Sequence, residues 1–445
     1  MSSLKSCVLL LTMLVPAMAF HGGRTEAANL IVATDLHYIA PQLTDNGPIF
    51  KEINDRGDGK IMLYSEVVTD AFIQEVIDSH PDALILSGDL TFNGAALSHE
   101  KLADRLQRVC QEGIPVLVIP GNHDLDNENA ARYEGYSFEP VDSEDADGFR
   151  EHYYSLGPDH ADSFAPDSLS YLYSVSDDVK VLMLDTNSVS MNHVSEPTMK
   201  WVREVLEDEE KEGVFVISVS HQNLYQHSPL FQKQFQIFEP DELAKIYRKY
   251  HVIANLSGHM HIQHIVTDNL CPSPAELTVA DRGAEIATSS LAVNPLQYGL
   301  ISITNSRFHY ENESVDVGGY LREHKAEFSN LDPKVSLTDP NLQNLRTYAL
   351  EYFREKPITE VQSEYASQVS DPDDLETMAD CFANLNAAYF SGDEIDLASE
   401  VEGLKLWNRV ESDLTTQYID SIVQDAENHL GDYHQLTIQC GNRQK

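Results

Sequence analysis

The sequence predicts an α/β fold in which helices cover a largely parallel β-sheet. Five short runs rich in Val, Ile and Leu indicate buried strands, at residues 30–33, 83–86, 116–119, 214–219 and 252–256. Amphipathic helical patterns separate these runs, and such alternation is typical of parallel strands joined by crossover helices. After about residue 328 only helical patterns remain, which predicts a small additional helical domain.

Four crossover helices are predicted from apolar residues that recur at helical spacing. The four sets are Val68, Ala71, Phe72 and Val76; Leu102, Leu106 and Val109; Met199, Val202, Val205 and Leu206; and Leu243, Ile246, Tyr247 and Tyr250. Beyond residue 261 the pattern changes to short β-rich pieces at 285–288, 300–304 and 307–310. The last two are joined at residues 305–306 and resemble a hairpin.

The C-terminal part shows clear helix-start signals. Asp339 and Asp371 each precede a proline, which is the pattern of an N-capping residue followed by the first helical position. A third helical pattern covers about residues 414–426. Because 445 residues exceed what one core usually supports, we predict a main domain over 20–328 and a helical domain over 329–445.

The first 19 residues match a secretory signal peptide. Lys5 precedes an apolar stretch at residues 7–15, and Ala17-Met18-Ala19 supplies a small-residue cleavage site. We therefore expect a secreted protein, extracellular or periplasmic, although a buried N-terminal strand is an alternative. No later run approaches the roughly 18 apolar residues of a membrane helix, so no transmembrane segment is expected.

Export would permit disulfide bonds among the four cysteines that follow the signal peptide, Cys110, Cys271, Cys381 and Cys440. The sequence does not rank the three full pairings that four cysteines allow. Cys110 continues an apolar helical face, which favours core burial, whereas Cys381 and Cys440 share the C-terminal region and could form a bridge.

The chain is strongly acidic, with a formal net charge of −42. Affinity for DNA or RNA polymers rests largely on Lys and Arg that neutralise phosphates, so these polymers are not expected as partners. The oligomeric state is not predicted by any pattern in the sequence.

An acidic and aromatic insertion, residues 126–167, interrupts the predicted scaffold. It contains twelve acidic and two basic residues, and its aromatic residues are Tyr133, Tyr136, Phe138, Phe149, Tyr153, Tyr154 and Phe164. A long connection at this place is typical of a lid or binding loop, in which aromatic rings stack on a flat ligand. A solvated excursion whose aromatic residues pack on their own domain fits the pattern equally well.

Polar residues suited to catalysis follow each of the five predicted strands. They are Asp35 and His37; Asp89; Asn122, His123 and Asp124; His221; and His259 and His261. Ligands of open α/β sheets bind beyond the carboxyl ends of the strands, so we expect these side chains to gather at one edge.

Carboxylate, imidazole and amide donors favour Mn, Fe or Zn as the bound metal. Because no thiolate is among them, a thiolate-rich structural zinc site is not expected. Asp89 follows a central strand and is the natural bridge, because a carboxylate offers one oxygen to each of two ions about 3.5–4 Å apart. Asn122 supplies a neutral carbonyl oxygen, which leaves His123 as a free imidazole beside the metals.

These motifs together resemble the calcineurin-like metallophosphoesterases. The family pattern Asp-x-His, Gly-Asp, Gly-Asn-His-Asp/Glu, His, Gly-His-x-His is matched in order between about residues 29 and 311. The resemblance implies a four-layer α/β/β/α sandwich with a two-metal site at its edge. The metal ions would be Mn²⁺, Fe²⁺/Fe³⁺ or Zn²⁺.

The resemblance also assigns roles to residues. Asp35, His37, Asp89 and His261 would hold one metal ion, and Asp89, Asn122, His221 and His259 would hold the other. His123 would contact the phosphate or protonate the leaving group, and Asp124 would orient His123.

A further resemblance is to exported bacterial members related to class III cyclic-nucleotide phosphodiesterases, which carry a helical C-terminal domain. It rests on the stretches 87–94, 121–127 and 297–299. The resemblance implies a metal-dependent phosphoric ester hydrolase, preferably a phosphodiesterase of cyclic nucleotides or other small phosphodiesters, acting by in-line attack of a metal-bound hydroxide. A phosphomonoesterase or nucleotidase on the same site is the alternative. A monoester dianion needs more positive charge, and only isolated cations such as Arg132 or Arg282 lie near the motifs, which favours diesters. A non-catalytic binding protein is the third reading.

Overall fold

The protein contains two seven-stranded β-sheets, as a computed structural model shows. The structure describes residues 26–231, 233–267, 277–278, 283–304, 306–324, 339–429 and 431–440. The first sheet has the order β12-β16-β15-β14-β1-β2-β3. Its strands are β1 (Glu26–Ala33), β2 (Ala83–Leu86), β3 (Val116–Val118), β12 (Leu277–Thr278), β14 (Gln297–Thr304), β15 (Arg307–Ser314) and β16 (Gln435–Gln439).

The second sheet has the order β11-β13-β10-β9-β8-β7-β6. Its strands are β6 (Ser163–Phe164), β7 (Tyr171–Ser174), β8 (Val179–Met183), β9 (Phe215–Val219), β10 (Asn255–Ser257), β11 (His264–Thr267) and β13 (Ala284–Ala287). Strands β1, β2 and β3 are mutually parallel, and so are β8, β9, β10 and β13, whereas β14 to β16 add antiparallel pairs. Each sheet is therefore mixed, with a parallel centre.

The two sheets pack face to face and carry helices on their outer faces. Alternate residues of one strand point to opposite faces, and in β1 Val32 belongs to the core shared by both sheets while Ile31 packs against outer helices. In β9 the shared core receives Ile217, whereas Val216 packs under helices on the other side. The α/β/β/α sandwich predicted from the sequence is confirmed.

The helices of the sandwich are α1 (Pro48–Asp55), α2 (Ser65–Ser79), α3 (Ala96–Gln111), α4 (Ala146–Tyr153), α5 (Glu196–Glu212), α6 (Pro240–Lys249) and α7 (Val317–Glu323). Short 3₁₀ turns occur at Pro41–Leu43, Met62–Tyr64, Tyr154–Leu156 and Pro158–His160. The four predicted crossover helices correspond to α2, α3, α5 and α6. Helices α1, α4 and α7 were not predicted from periodicity, because they are only eight, eight and seven residues long.

The C-terminal region is helical, as predicted. It contains α8 (Pro340–Gln343), α9 (Leu345–Glu364), α10 (Pro372–Ser391), α11 (Val401–Trp407) and α12 (Leu414–Asn428). The carboxylates of Asp339 and Asp371 accept hydrogen bonds from the backbone N–H groups of Asn341 and Asp373, so both predicted N-caps are confirmed. The helix expected to run on from Pro340 is interrupted at Asn344, which has a non-helical backbone.

The prediction that the chain contains no strand after about residue 328 is wrong. Residues Gln435–Gln439 form β16, which pairs antiparallel with β15 and places Phe308 opposite Ile438. The strand alternates polar with apolar residues, which is a strand signal. It is only five residues long and follows a long series of helical patterns, so this signal was not recognised in the sequence. The helices α8 to α12 are therefore inserted between two neighbouring strands of the first sheet.

The insertion at residues 126–167 folds mainly onto its own domain. It contains the hairpin strands β4 (Ala131–Glu134) and β5 (Ser137–Pro140), together with α4. Tyr133, Phe149 and Tyr153 are buried in the core outside the first sheet, as the alternative reading of the insertion expects. Tyr136, at the turn of the hairpin, is 87% exposed.

The predicted bridge between Cys381 and Cys440 does not form, because Cys381 carries a free thiol. Its side chain packs in the helical core, where a Cβ on Gly403 would lie 2.7 Å from its sulfur. Cys110 is also a free thiol. Among the described residues, no helix has both the length and the apolar character that a bilayer crossing requires. The predicted signal peptide, Cys271, Arg282 and the expected domain boundary near residue 328 lie outside the described residues.

The packing of β16 can be tested with Ile438→Ala. Ile438 is 2% exposed in the core between the sheets, so its truncation should lower the free energy of unfolding by about 2–5 kcal/mol. Leu414→Ala is the control, because Leu414 is 79% exposed and should change this free energy by less than about 0.5 kcal/mol. Urea unfolding followed by circular dichroism measures both. Equal effects would contradict the placement of this strand in the core.

Candidate metal centre

The predicted site residues all lie in loops that leave the carboxyl ends of central strands. Asp35 and His37 follow β1, and Asp89 follows β2. Asn122, His123 and Asp124 follow β3, His221 follows β9, and His259 and His261 follow β10. The first three strands belong to one sheet and the last two to the other, so both sheets contribute to one edge of the sandwich.

Six of these side chains form two overlapping groups of donor atoms. Asp35, His37, Asp89 and His261 form one group, and Asp89, His221 and His259 form the other; within each group the donor atoms lie within 4.8 Å of one another. Oδ1 of Asn122 lies 3.0 Å from Nε2 of His221 and extends the second group. We call these seven residues the histidine–aspartate cluster.

The backbone of the cluster adopts an uncommon conformation. Asp35, His37, Asp89, His259 and His261 all have positive φ angles between 44° and 68°. Such left-handed conformations are uncommon for residues other than glycine and persist where the surroundings hold them. Hydrogen bonds between loops do so here: the N–H of Asp35 donates to Gly88 O at 3.0 Å, and the N–H of His37 donates to Asp89 O at 3.0 Å.

Two motif glycines permit the close approach of these loops. A Cβ on Gly258 would lie 1.9 Å from Oγ1 of Thr34 and 2.4 Å from Oδ2 of Asp35. A Cβ on Gly121 would lie 2.2 Å from Oδ1 of Asp89. Because backbone and carboxylate atoms occupy that space, any side chain at either position would displace a carboxylate of the cluster.

Three of the four histidines are oriented by hydrogen bonds on their outward nitrogen. Nδ1 of His221 donates to Ser87 O at 2.9 Å, and Nε2 of His259 donates to Gln234 O at 3.1 Å. Nδ1 of His261 donates to Oδ2 of Asp58 at 2.6 Å. Each bond leaves the other ring nitrogen with its lone pair facing the cluster, which is the arrangement that metal-binding histidines adopt.

Asp58 and Lys60 are neighbours of the cluster that the sequence analysis missed. Nζ of Lys60 lies 2.6 Å from Oδ1 of Asp58, so the carboxylate that holds His261 is itself ion-paired. The Gly57-Asp58-Gly59 sequence is a turn signal, but no strand precedes it, and the rule of polar residues after a strand therefore did not select it.

The carboxylates of the cluster remain ionised because histidines surround them. Burial alone would raise the pKa of Asp89, but the charges of His221 and His123 outweigh it and hold that pKa well below its usual range. Burial opposes protonation of His221 and His261, yet nearby carboxylates raise the pKa of each to about 9. Burial and the neighbouring His221 lower the pKa of His259 to about 3. Buried negative charge in this place thus attracts a cation, whether a proton or a metal ion.

The donor atoms fit divalent cations. Oδ1 of Asp35 and Nδ1 of His37 are buried and make no hydrogen bond with any described residue. Nε2 of His37 faces Nε2 of His261 at 3.1 Å, and Nε2 of His261 lies 3.2 Å from Oδ1 of Asp35. Imidazole nitrogens and carboxylate oxygens that converge in a buried space suit divalent metal ions.

His123 and Asp124 lie beside the cluster in different roles. Nδ1 of His123 donates to Phe92 O at 2.8 Å, and its Nε2 lies 3.9 Å from Oδ2 of Asp89 on the partly exposed side. Asp124 is expected from the resemblance to orient His123, and this role stays a prediction. Its buried carboxylate accepts hydrogen bonds from the N–H groups of Leu90, Thr91 and Gly121, and therefore fixes the loops after β2 and β3.

Comparison with known proteins places this site in a family. Residues 28–263 match the model of the calcineurin-like phosphoesterases, and the chain belongs to this family. Residues 333–429 match a second model, the C-terminal domain of cyclic nucleotide phosphodiesterase. The chain is thus a metallophosphoesterase with a buried His/Asp cluster suited to two metal ions and a C-terminal domain of the cyclic nucleotide phosphodiesterase type.

A curated relative from Ruthia magnifica is named "Probable cyclic nucleotide phosphodiesterase" and is 47% identical over 55 residues. This match covers 12% of the chain and 22% of the relative. Among solved structures, a dimetal phosphatase from Danio rerio is 12% identical with a TM-score of 0.46, covering 65% of this chain and 96% of that chain. A purple acid phosphatase from yellow lupin is also 12% identical, with a TM-score of 0.37, covering 66% of this chain and 52% of that chain.

The support that Asp58 gives to His261 can be tested with Asp58→Asn. Loss of the carboxylate that fixes Nδ1 should weaken Mn²⁺ binding about 10- to 100-fold, as measured by isothermal titration calorimetry. Asp104→Asn is the matched control, since this side chain is 67% exposed on α3. If Asp58→Asn binds Mn²⁺ as the control does, the hydrogen bond to His261 does not contribute to the site.

Proposed function

We propose that this protein is an exported phosphodiesterase that hydrolyses small phosphodiesters, including cyclic nucleotides, at a two-metal centre. The position of Asp89 is the observation that carries the proposal. Its Oδ1 lies 3.3 Å from Nε2 of His221 in one donor group, and its Oδ2 lies 3.9 Å from Nε2 of His37 in the other. A carboxylate with one oxygen in each group is suited to bridging two cations.

The remaining ligands divide between the two groups. Asp35, His37 and His261 would hold one cation with Asp89, and Asn122, His221 and His259 would hold the other. Bound metal ions of this kind lower the pKa of water and neutralise charge on phosphate oxygens. The protein contributes the fixed positions of these donors, which the interlocked loops and the hydrogen bonds on the outward nitrogens provide.

His123 is placed to hold a proton for the departing oxygen. With Nδ1 donating to the Phe92 carbonyl, a protonated Nε2 would point toward the ester beside Asp89. General acid help of this type contributes typically 100- to 10,000-fold to the rate. The side chain of His123 is 36% accessible, as a group that must meet substrate should be.

The charge around the cluster supports diesters over monoesters. A monoester dianion calls for additional positive charge, but Lys60 is already paired with Asp58. Arg132 lies on the β4–β5 hairpin, 54% exposed and 3.5 Å from a carboxylate oxygen of Glu134. The match of residues 333–429 to the cyclic nucleotide phosphodiesterase C-terminal domain supports the same choice.

We propose export from the sequence of residues 1–19 alone, because it matches a secretory signal peptide. An exported enzyme would meet its natural substrate outside the cytoplasm.

Two substitutions separate metal binding from proton transfer. Asp89→Ala should abolish the binding of the second equivalent of Mn²⁺ and hydrolysis together, because both donor groups lose a ligand. His123→Ala should retain both equivalents and lose about 100- to 10,000-fold in kcat on a substrate with a poor leaving group. Metal content after gel filtration and steady-state kinetics measure the two effects. Unchanged turnover of that substrate by His123→Ala would remove the acid role from His123.

Substrate class is tested with matched chromogenic esters of 4-nitrophenol, one a diester and one a monoester, in the presence of Mn²⁺. We expect faster turnover of the diester, measured as kcat/KM, and loss of this activity with a chelator. Faster turnover of the monoester would assign the protein to the phosphatases. Two bound Mn²⁺ ions without turnover of either ester would favour a binding protein on this scaffold.

A further inference from the structure

A cavity of about 320 Å³ lies between the histidine–aspartate cluster and the C-terminal helices. Residues 259–262, which contain two cluster histidines, form one wall, and α9, α10 and α12 form the opposite wall. The Asp58–Gly59 turn also borders it. The cavity therefore joins the centre where a phosphate ester would react to the region that matches the cyclic nucleotide phosphodiesterase C-terminal domain.

Seven aromatic residues contribute to the wall of this cavity. Its aromatic lining residues are Phe231, Phe235, Phe353, Phe382, Tyr389, Phe390 and Tyr418. No residue of the 126–167 insertion lines it, although the sequence analysis expected stacking rings there. The C-terminal helices thus supply five of these seven rings, which are Phe353 on α9, Phe382, Tyr389 and Phe390 on α10, and Tyr418 on α12.

A chain of ring contacts connects the cluster to the interior of the cavity. The ring of His259 lies 5.0 Å from that of Phe235, which lies 5.2 Å from that of Phe231. Phe231 continues to Tyr418 on α12 at 5.6 Å. These separations are typical of packed aromatic pairs, so a flat group that entered from the cluster would meet ring surfaces along its path.

One amide adds a polar group to the aromatic wall. Oδ1 of Asn386 accepts a hydrogen bond from the hydroxyl of Tyr418 at 2.8 Å, which orients its NH₂ group as a donor. Two charged residues of α9, Lys356 and Glu360, also line the cavity. Lys356 donates to Gly57 O at 2.7 Å and so ties α9 to the turn that holds Asp58. Aromatic faces with an oriented amide are the combination that reads a nucleobase, by stacking and by hydrogen bonding to its edge.

We infer that this cavity is a subsite for the nucleobase of a nucleoside phosphodiester whose phosphate lies at the histidine–aspartate cluster. The inference rests on the proposed function and specifies its substrate class. A volume of 320 Å³ is at the lower end of the range of about 300–1,000 Å³ for small-molecule sites, which suits one base and excludes a stacked oligonucleotide. The base would lie beside the rings of Phe235 and Tyr418, with Asn386 at its edge.

The test compares two diesters that share the 4-nitrophenolate leaving group. Methyl 4-nitrophenyl phosphate carries no base, whereas thymidine 5′-(4-nitrophenyl phosphate) carries one. With Mn²⁺ present, kcat/KM of the wild type should be at least about tenfold higher for the thymidine ester, because stacking of one base contributes a factor of this size. Phe231→Leu should reduce this ratio about tenfold, since Phe231 lies in the middle of the ring chain.

Phe238→Leu is the matched control. Phe238 is 57% exposed, does not line the cavity, and its substitution should leave the ratio unchanged. Asn386→Phe is a second test, because a larger side chain should fill the cavity and reduce the ratio while the thermal unfolding temperature reports that the fold is kept. A wild-type ratio near one, or equal losses on both esters in Phe231→Leu, would overturn the subsite.

A binding measurement separates this inference from the proposed function. Adenosine is titrated calorimetrically into chelator-treated protein, with ribose as the control ligand. Adenosine binding that Phe231→Leu weakens supports the subsite even if neither ester is hydrolysed, which would refute the proposed function alone. Hydrolysis of both esters at equal rates, without adenosine binding, would refute the subsite and leave the proposed function intact.

Discussion

The burial of two neighbouring carboxylates, Asp35 and Asp89, is the constraint on which the rest of the structure depends. Buried negative charge is costly unless opposite charge or polar donors surround it. Four imidazoles and one amide, drawn from loops of both sheets, provide these partners. To bring them together, five of the donor residues adopt left-handed backbone conformations, and glycines 121 and 258 leave no room for a side chain. The sandwich holds this local arrangement because every loop starts from the buried end of a strand.

More of the metal site than of its surroundings could be predicted, because the sequence signals of the site are local. Each ligand lies within a few residues of an apolar run, and parallel strands direct those residues to one edge. Asp58 escaped prediction because its partner His261 is 203 residues away, and no local rule couples a turn to a distant imidazole. The hydrogen bonds that Asp124 accepts from the loops after β2 and β3 were also not predicted, since a motif fixes residue order but not which hydrogen-bond donors a carboxylate meets.

The fold shows the same division between local and distant information. Crossover helices and N-caps followed from spacing and from Asp-Pro pairs, which are properties of short segments. Strand β16 could not be predicted from local spacing in this way. It is short, and it is stabilised by its pairing with β15 and by Ile438 in the shared core. The aromatic surface near the cluster was expected in the acidic insertion, yet the distant C-terminal helices provide it. Aromatic residues alone do not indicate which surface they will face.

The position of β16 also determines when the first sheet can be completed during synthesis. Strands β1, β14 and β15 are synthesised long before residues 435–439, so the edge of β15 stays unpaired while the whole helical region leaves the ribosome. An exposed strand edge is a place where chains associate with one another. Among the described strands β16 comes last in the sequence and covers the edge of β15, so loss of residues 435–439 would leave that edge open to association with other chains.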